Sequence, residues 1–363
     1  MTKQILIVLT LFFFNTISSA QISSYFVKGK VINAQSKQPM QGASVFAENT
    51  TLGTATDQDG NFVLELPIGG YSLVVTFTGF NTQSFRISNI ETNNIDVEMT
   101  VKEKSLEEVA VVSTGETKNG LEKYGNFFMD EFIGKSKNSG LCKLKNPESL
   151  KFYFSKRKNR LKVLSIEPLI IENNALGYNI KYEMDSFVHE YNTDITVYTG
   201  YPLFEEMEST SEDQKSKWKS AREAAYKGSI LHFMRSLYNM ELEEEGFQVQ
   251  LMVNINGKDS GLKVKDYYQA LNYNQADSIS PVVIKPNQSK IGIIFINEKP
   301  EDGYLNENKE VPSEFQFSTI SFLPNKSLSV EENGFYYEQS DLLINDYWEW
   351  NKLADALPYD YKL

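Results

Sequence analysis

Residues 53–62 read Gly-Thr-Ala-Thr-Asp-Gln-Asp-Gly-Asn-Phe, a polar turn between short apolar runs. Asp57 and Asp59 can accept backbone N–H bonds, and Gly60 can take the positive φ that a hairpin turn requires. The same residues superficially resemble a calcium loop, but an EF-hand needs Glu at its twelfth position, where this chain has Ile68. The stretch therefore predicts a β-hairpin.

Short strand candidates surround this turn throughout residues 25–100. Each is an alternating or apolar run that ends at Gly, Pro, Asp or Asn, the residues that turns favour. They lie at residues 26–32, 43–47, 53–56, 61–66, 72–77, 82–87 and 95–99. The one at residues 53–56 is a possible short strand, so the count is six or seven in about 75 residues, which is typical of an antiparallel β-sandwich.

A series of short motifs runs in a fixed order from Gly29 to Phe80. They are Gly-x-Val, Pro-x-x-Gly-Ala-x-Val, Gly-Thr-x-Thr-Asp-x-x-Gly-x-Phe, Leu-Pro-x-Gly-x-Tyr and Gly-Phe. This order resembles the carboxypeptidase-regulatory-like domain. The resemblance implies a transthyretin-like or immunoglobulin-like sandwich of seven strands, an accessory module without catalytic residues of its own.

The composition excludes several kinds of site. With 36 Lys+Arg against 48 Asp+Glu, the 363 residues carry a net charge of −12, which disfavours binding to nucleic acid. One Cys and two His are too few for a Cys/His zinc site. The His-x-x-Glu zinc pair of metallocarboxypeptidases is missing, since Asn192 follows His189 and Arg235 follows His232 at that spacing. We expect no metal, no cofactor and no peptidase activity.

The start of the chain has the layout of an export signal. Lys3 precedes an apolar run at residues 5–14, and the small residues Ser18 and Ala20 fit a signal-peptidase site. The run is shorter than the roughly 20 residues that span a bilayer, although an uncleaved anchor is the alternative. We predict a signal peptide at residues 1–20 and an exported protein in the periplasm or associated with the outer membrane.

Residues 101–146 predict a linker strand and a short helix. Within them, residues 106–113 resemble the energy-coupling box that follows the same domain in TonB-dependent outer-membrane transporters. A plain closing strand explains those few apolar residues equally well. The transporter itself is excluded by length, because a barrel of about 22 strands needs more chain than remains.

Residues 147–363 predict a second, β-rich domain with one long helix, so the whole chain is predicted to be a β-rich α+β protein. Alternation is clearest over Phe247–Ile255, and apolar residues recur at three- and four-residue spacing over residues 212–244. The motifs Gly200-Tyr-Pro-Leu-Phe204 and Asn345-Asp-Tyr-Trp348 resemble an uncharacterised family of exported bacterial proteins. That resemblance carries no activity to transfer.

Six residues are candidates for binding, and none is a candidate for catalysis. They are Arg222, Tyr226, His232 and Arg235 within the helical segment, and Trp348 and Trp350 near the C-terminus. Two arginines on a helix face can bind an anion, and exposed Trp rings can stack on sugars. The alternatives are a salt-bridged helix face, a structural histidine and aromatic packing in the core.

These observations favour a non-enzymatic cell-envelope protein that binds another envelope protein or a glycan. Any association with the outer membrane would be through a partner, and the sequence contains no signal for an oligomeric state. One alternative is a component of a TonB-linked uptake system that uses residues 106–113 for strand addition. Another is an unrecognised hydrolase that uses Arg222, His232 and carboxylates of the second domain.

Overall fold

The computed structural model describes residues 24–88, 94–102 and 115–363. The predicted signal peptide at residues 1–20 and the transporter-like segment at residues 106–113 lie outside the described residues, so both stay predictions. Among the described helices, none is long and apolar enough to cross a membrane.

The N-terminal region is a two-sheet β-sandwich of seven strands. The strands are β1 (Ser24–Asn33), β2 (Ser44–Ala47), β3 (Gly53–Ala55), β4 (Asn61–Pro67), β5 (Gly70–Thr76), β6 (Gln83–Ser88) and β7 (Asn94–Met99). One sheet has the order β4-β1-β7 and the other the order β3-β2-β5-β6. These pairs are antiparallel except β1 with β7, which is parallel. Since β6 belongs to the second sheet and β7 to the first, the chain changes sheets between them. The prediction of a wholly antiparallel sandwich was wrong at the pair of β1 with β7.

Local sequence explains how the sandwich forms. Along β4, buried Phe62, Leu64 and Leu66 alternate with exposed residues, which is the period of a strand with one face in the core. The turn before β4 is the predicted one: Asp57 Oδ1 accepts the N–H groups of Asp59 and Asn61 at 2.9 and 2.8 Å. Gly60 in that turn has φ +77°.

A six-stranded antiparallel sheet follows. Its elements are α1 (Gly120–Phe132), β8 (Cys142–Leu144), β9 (Leu150–Ser155), β10 (Arg160–Ser165), β11 (Leu169–Asn173), β12 (Tyr178–Glu190) and β13 (Ile195–Glu206), with 3-10 turns at Ser139–Leu141 and Pro147–Ser149. The order is β8-β11-β12-β10-β9, and β13 pairs with the other edge of β12. Phe128 and Phe132 of α1 pack into the core of this sheet, so the helix predicted within residues 101–146 is part of the C-terminal region.

The single long helix predicted over residues 212–244 is wrong, because the segment forms two helices. They are α2 (Glu212–Tyr226) and α3 (Ile230–Tyr238). Gly228 between them has φ +71°, which helical residues do not adopt, and the Ser229 hydroxyl caps α3 by accepting the N–H of His232. Apolar spacing continues across the break and therefore conceals it.

The remaining chain builds a five-stranded antiparallel sheet of order β15-β14-β17-β18-β20 and a small β16-β19 pair. The elements are β14 (Phe247–Ile255), β15 (Lys258–Lys263), α4 (Tyr267–Ala270), β16 (Val282–Ile284), β17 (Lys290–Phe295), α5 (Asp302–Glu307), β18 (Gln316–Phe322), β19 (Leu328–Val330), β20 (Leu342–Asp346) and α6 (Tyr347–Asn351), with 3-10 turns at Gln339–Asp341 and Leu353–Asp355. The predicted β-rich α+β class is confirmed.

The sandwich is hydrogen-bonded to the C-terminal region through the turn between β2 and β3. The N–H of Asn49 donates to Pro202 O at 2.7 Å, and Thr50 O accepts the N–H of Phe204 at 2.8 Å. At a second point of contact, Asn333 Nδ2 donates to Gly70 O at 3.0 Å. These bonds fix the sandwich against both β13 and the chain that follows β19.

Candidate functional site

A cavity of about 1040 Å³ lies between the sandwich, β13 and residues 334–359. The sandwich contributes residues of β5 and β6 and of the turn after β2, and β13 contributes a continuous stretch from Thr196 to Pro202. Residues 342–344 of β20 line the same space. Edge strands of three sheets, β6, β13 and β20, therefore border one cavity, which exists because the sandwich is docked beside the other two sheets.

Tyrosines dominate the lining of this cavity. They are Tyr71, Tyr182, Tyr198, Tyr201, Tyr336, Tyr337 and Tyr359. Burial raises the pKa of the Tyr201 and Tyr198 hydroxyls, so both stay neutral hydrogen-bonding groups at physiological pH. Such rings offer apolar faces together with polar tips, which suits a ligand that has both kinds of surface.

Glu48 supplies an unusual carboxyl group to the same cavity. Burial raises its pKa to about 7, and the smaller effect of a hydrogen bond with Ser72 lowers it. The carboxyl therefore changes its protonation near neutral pH, and it can either donate or accept a hydrogen bond there.

Further charged groups line the cavity, and the cations among them are paired. The guanidinium of Arg86 lies 3.3 Å from the ring centroid of Tyr337 and 3.4 Å from Glu338. Lys352 pairs with Glu131 at 3.1 Å. Asp355 accepts from Asn138 Nδ2 at 2.7 Å, and burial raises its pKa to about 6. The cavity thus holds carboxyl groups in excess of free cations.

Arg222, predicted to bind a ligand, holds the turn before β12. Its Nε and Nη2 donate to the carbonyl oxygens of Leu176 and Gly177 at 2.7 and 3.0 Å. The guanidinium also lies 3.9 Å from the ring centroid of Tyr178 and 3.1 Å from Glu206. These contacts are those of a residue that fixes α2 on the six-stranded sheet.

The structure brings Tyr226, His232 and Arg235 together beside the break between α2 and α3. The rings of Tyr226 and His232 lie 4.8 Å apart, and Arg235 lies 5.5 Å from the Tyr226 ring. His232 Nδ1 accepts the N–H of Gly228 at 3.1 Å, and Nε2 lies 3.0 Å from Glu245 Oε2. Burial lowers the pKa of His232 despite Glu245, so the ring is held neutral with its proton on Nε2.

Arg235 is bonded to three carbonyl oxygens. Its Nε donates to Asn333 O at 3.1 Å, and its Nη2 donates to Tyr359 O and Tyr361 O at 3.0 and 2.9 Å. The side chain therefore anchors the C-terminal segment on α3. A ligand would have to displace these bonds in order to reach it.

The two tryptophans are in different places. Trp348 Nε1 donates to Gly228 O at 2.7 Å, and Trp348 lines the cavity. Trp350 Nε1 donates to Glu301 at 3.2 Å, and its ring packs on Tyr304 in a separate cluster. That the six candidate residues bind a ligand stays a prediction, and Trp348 alone among them lines the cavity.

Sequence reasoning missed Glu48, the tyrosine lining and the role of β13. One local signal for β13 was present: Pro202 has no N–H for a ladder, and proline within a strand is confined mainly to sheet edges. In the part of the chain that the structure describes, no group of three or more His, Cys, Asp or Glu side chains is placed to hold a metal ion.

The sandwich belongs to a known class of domain. Residues 27–112 match the family model described as CarboxypepD_reg-like domain. Over 92 residues the chain is 30% identical to the TonB-dependent receptor P3 of Formosa agariphila. The aligned stretch covers 25% of this chain and 9% of the receptor. Over 80 residues the chain is 35% identical to the TonB-dependent receptor P39 of the same organism. That aligned stretch covers 22% of this chain and 8% of the receptor.

The match thus spans less than a tenth of each receptor. Among solved structures, a DUF3823 family protein from Bacteroides ovatus covers 52% of this chain and 83% of its own, at 12% identity and a TM-score of 0.18. That TM-score is too low to support a shared fold.

Proposed function

We propose that this chain is a non-enzymatic binding protein of the bacterial cell envelope, and that its ligand occupies the cavity between the sandwich and the C-terminal region. The observation that carries the proposal is the cavity itself, which needs both regions to form. Its volume lies at the upper end of the roughly 300–1,000 Å³ of ordinary ligand sites. The tyrosines and Glu48 give it the mixed polar and apolar lining that binding a peptide or a glycan requires.

The proposed location is the periplasm or the outer membrane. The export signal predicted at residues 1–20 supports it, and so does the similarity of the sandwich to segments of TonB-dependent receptors. Association with the membrane would be through the bound partner.

Two matched substitutions on β13 test the cavity. Val197 lines it, whereas Ile195 lies two residues away on the same face of the strand outside its lining, and the two side chains are 53% and 50% exposed. Binding is screened with a library of linear decapeptides and a glycan array. We expect Val197→Trp to weaken the selected ligand about tenfold or more and Ile195→Trp to leave it unchanged. Equal affinity for both variants and the wild type, or no ligand in either screen, would sink the proposal.

A second candidate is a component of a TonB-linked uptake system, which the similarity to two TonB-dependent receptors favours. In that system residues 106–113 would contact the energy-coupling protein. The test is a pull-down with the purified periplasmic domain of that protein. Capture that persists after deletion of residues 106–113 would contradict this role for the segment.

A further inference from the structure

We infer that the cavity receives a protein partner, and that an extended segment of this partner adds a strand to the outer edge of β13. The inference rests on the proposed function, because it names the class of ligand for the same cavity. Its basis is the hydrogen-bonding state of the edge, which is independent of the identity of the partner.

One edge of β13 is paired along its length, and the other is covered only at one end. β12 pairs with β13 from Ile195 to Glu206. On the opposite edge, the turn of the sandwich contacts β13 at Pro202 and Phe204, and Thr50 forms a parallel bridge with Leu203. The sandwich therefore begins a parallel ladder on this edge, and the ladder stops where the cavity begins.

Alternation along a strand then shows which groups point into the cavity. Pro202 O and the N–H of Phe204 point toward the sandwich. The register shift in this ladder adds its extra residue to β12, between Met184 and Ser186, so alternation along β13 is kept. The backbone groups of Thr196, Tyr198 and Gly200 therefore point the same way as those of Pro202 and Phe204. Among the described residues, none forms a hydrogen bond with those three N–H or three C=O groups. The cavity is thus bordered by a row of three open donor and acceptor pairs.

An extended peptide matches this row. It places N–H and C=O groups on one edge at every second residue, so five or six residues spanning roughly 17–20 Å would pair with the stretch from Thr196 to Tyr201. Strand addition to an exposed edge is a common mode of peptide recognition. A glycan can stack on tyrosine rings but has no such row of alternating groups, so the open edge favours a peptide.

The charges of the cavity indicate the composition of the peptide. Glu48, Asp355 and Glu349 line the cavity, whereas Arg86 and Lys352 are paired with Glu338 and Glu131. An acidic side chain in the partner would be repelled by whichever of these carboxyl groups is ionised, whereas a basic side chain could pair with it. The segment should therefore be neutral or basic.

The test uses the full chain and decapeptides selected from the linear library. Single N-methyl groups are placed at successive residues of one selected peptide, because N-methylation removes one N–H donor at a time. We expect losses of affinity of about tenfold or more at every second residue across five or six positions, and little effect at the residues between. The binding of that peptide should also be lost in Val197→Trp and kept in Ile195→Trp.

Different outcomes overturn different parts of the account. If a peptide binds in the cavity but its N-methyl scan lacks a two-residue period, strand addition is wrong and the cavity remains a ligand site. If the screens instead select a glycan and no peptide, and Val197→Trp abolishes the binding of that glycan, strand addition is again wrong and the cavity remains a ligand site. A selected peptide that is insensitive to Val197→Trp contradicts both the inference and the proposed cavity.

Discussion

The N–H of Thr51 donates to Oδ1 of Asp360 at 2.9 Å, and the Thr51 hydroxyl bonds to the other oxygen of the same carboxylate. The two residues are 309 positions apart in the chain. Together with the bonds from Asn49 and Thr50 to β13, this pair makes the sandwich one wall of the cavity rather than a separate module.

Removing the Asp360 carboxylate should loosen this contact. We expect Asp360→Ala to lower the free energy of unfolding by about 1–3 kcal/mol, because two donors of Thr51 lose a charged acceptor. Asp96→Ala is the matched control, since Asp96 is an exposed aspartate of the same sandwich. Urea denaturation measures both variants. Equal stability of the two would contradict a stabilising role for the pair.

Glu48 should make stability depend on pH in a defined direction. Because burial raises its pKa from 4.5 to about 7, the folded protein retains a proton that the unfolded chain releases as pH rises above 4.5. The protonated Glu48 carboxyl therefore contributes to the free energy of unfolding of the wild type below pH 4.5, and this contribution is lost as pH rises from 4.5 to 7. We expect Glu48→Gln to gain on the order of 2–3 kcal/mol relative to wild type between pH 5 and pH 8.

The control for Glu48 is Glu310→Gln, which changes an exposed carboxylate. Urea denaturation of the three proteins at pH 5 and pH 8 gives the comparison. If Glu48→Gln and Glu310→Gln respond alike to pH, the carboxyl of Glu48 is well solvated and the account of the cavity lining is wrong.

Gly228 should tolerate a methyl group poorly. A Cβ there would lie 2.5 Å from Gln316 Oε1 and 2.6 Å from Phe295 Cδ1, in addition to the strain of φ +71°. Gly42 has φ +78° and nothing within 4 Å of its Cβ position, so Gly42→Ala isolates the backbone cost of about 1–2 kcal/mol. We expect Gly228→Ala to cost a further 1–3 kcal/mol or so in thermal or urea unfolding. If Gly228→Ala and Gly42→Ala lower the free energy of unfolding by similar amounts, the packing between the start of α3 and β17 yields easily to the added methyl group.

His232 should stabilise the fold less as the solution becomes acidic. Its pKa is lowered by burial, so below pH 6.5 the unfolded chain takes up a proton that the folded protein resists. The advantage of wild type over His232→Gln should be full at pH 7.5 and shrink as pH falls through 6.5 toward 5. An advantage that grows toward pH 5 would show that the folded ring is charged and paired with Glu245.

The sandwich could be predicted because its turns are specified locally. Asp57 and Gly60 lie within four residues of the groups they serve, so their roles are readable from sequence. The break between α2 and α3 was missed, although Gly228 followed by Ser229 is a stop and start signal. Apolar residues keep helical spacing across that position, and an isolated glycine within such a pattern is ordinarily tolerated.

The cavity could not be predicted, because it depends on contacts between distant parts of the chain. Glu48 is at the end of a short strand, and only docking through Thr51 and Asp360 surrounds it with tyrosines. Arg222 and Arg235 were candidates for anion binding or for a salt-bridged helix face, yet the carbonyl groups that bind them lie 45 to 126 residues away. Sequence patterns report local structure and leave such pairings open.

Amide hydrogen exchange along β13 tests the central claim most directly. In the free protein we expect the amides of Thr196, Tyr198 and Gly200 to exchange about tenfold or more faster than that of Phe204. Phe204 points the same way but is bonded to Thr50 O at 2.8 Å, so it is the internal control. A bound peptide should slow those three amides. Uniformly slow exchange in the free protein would show that the edge is already covered and would contradict the account.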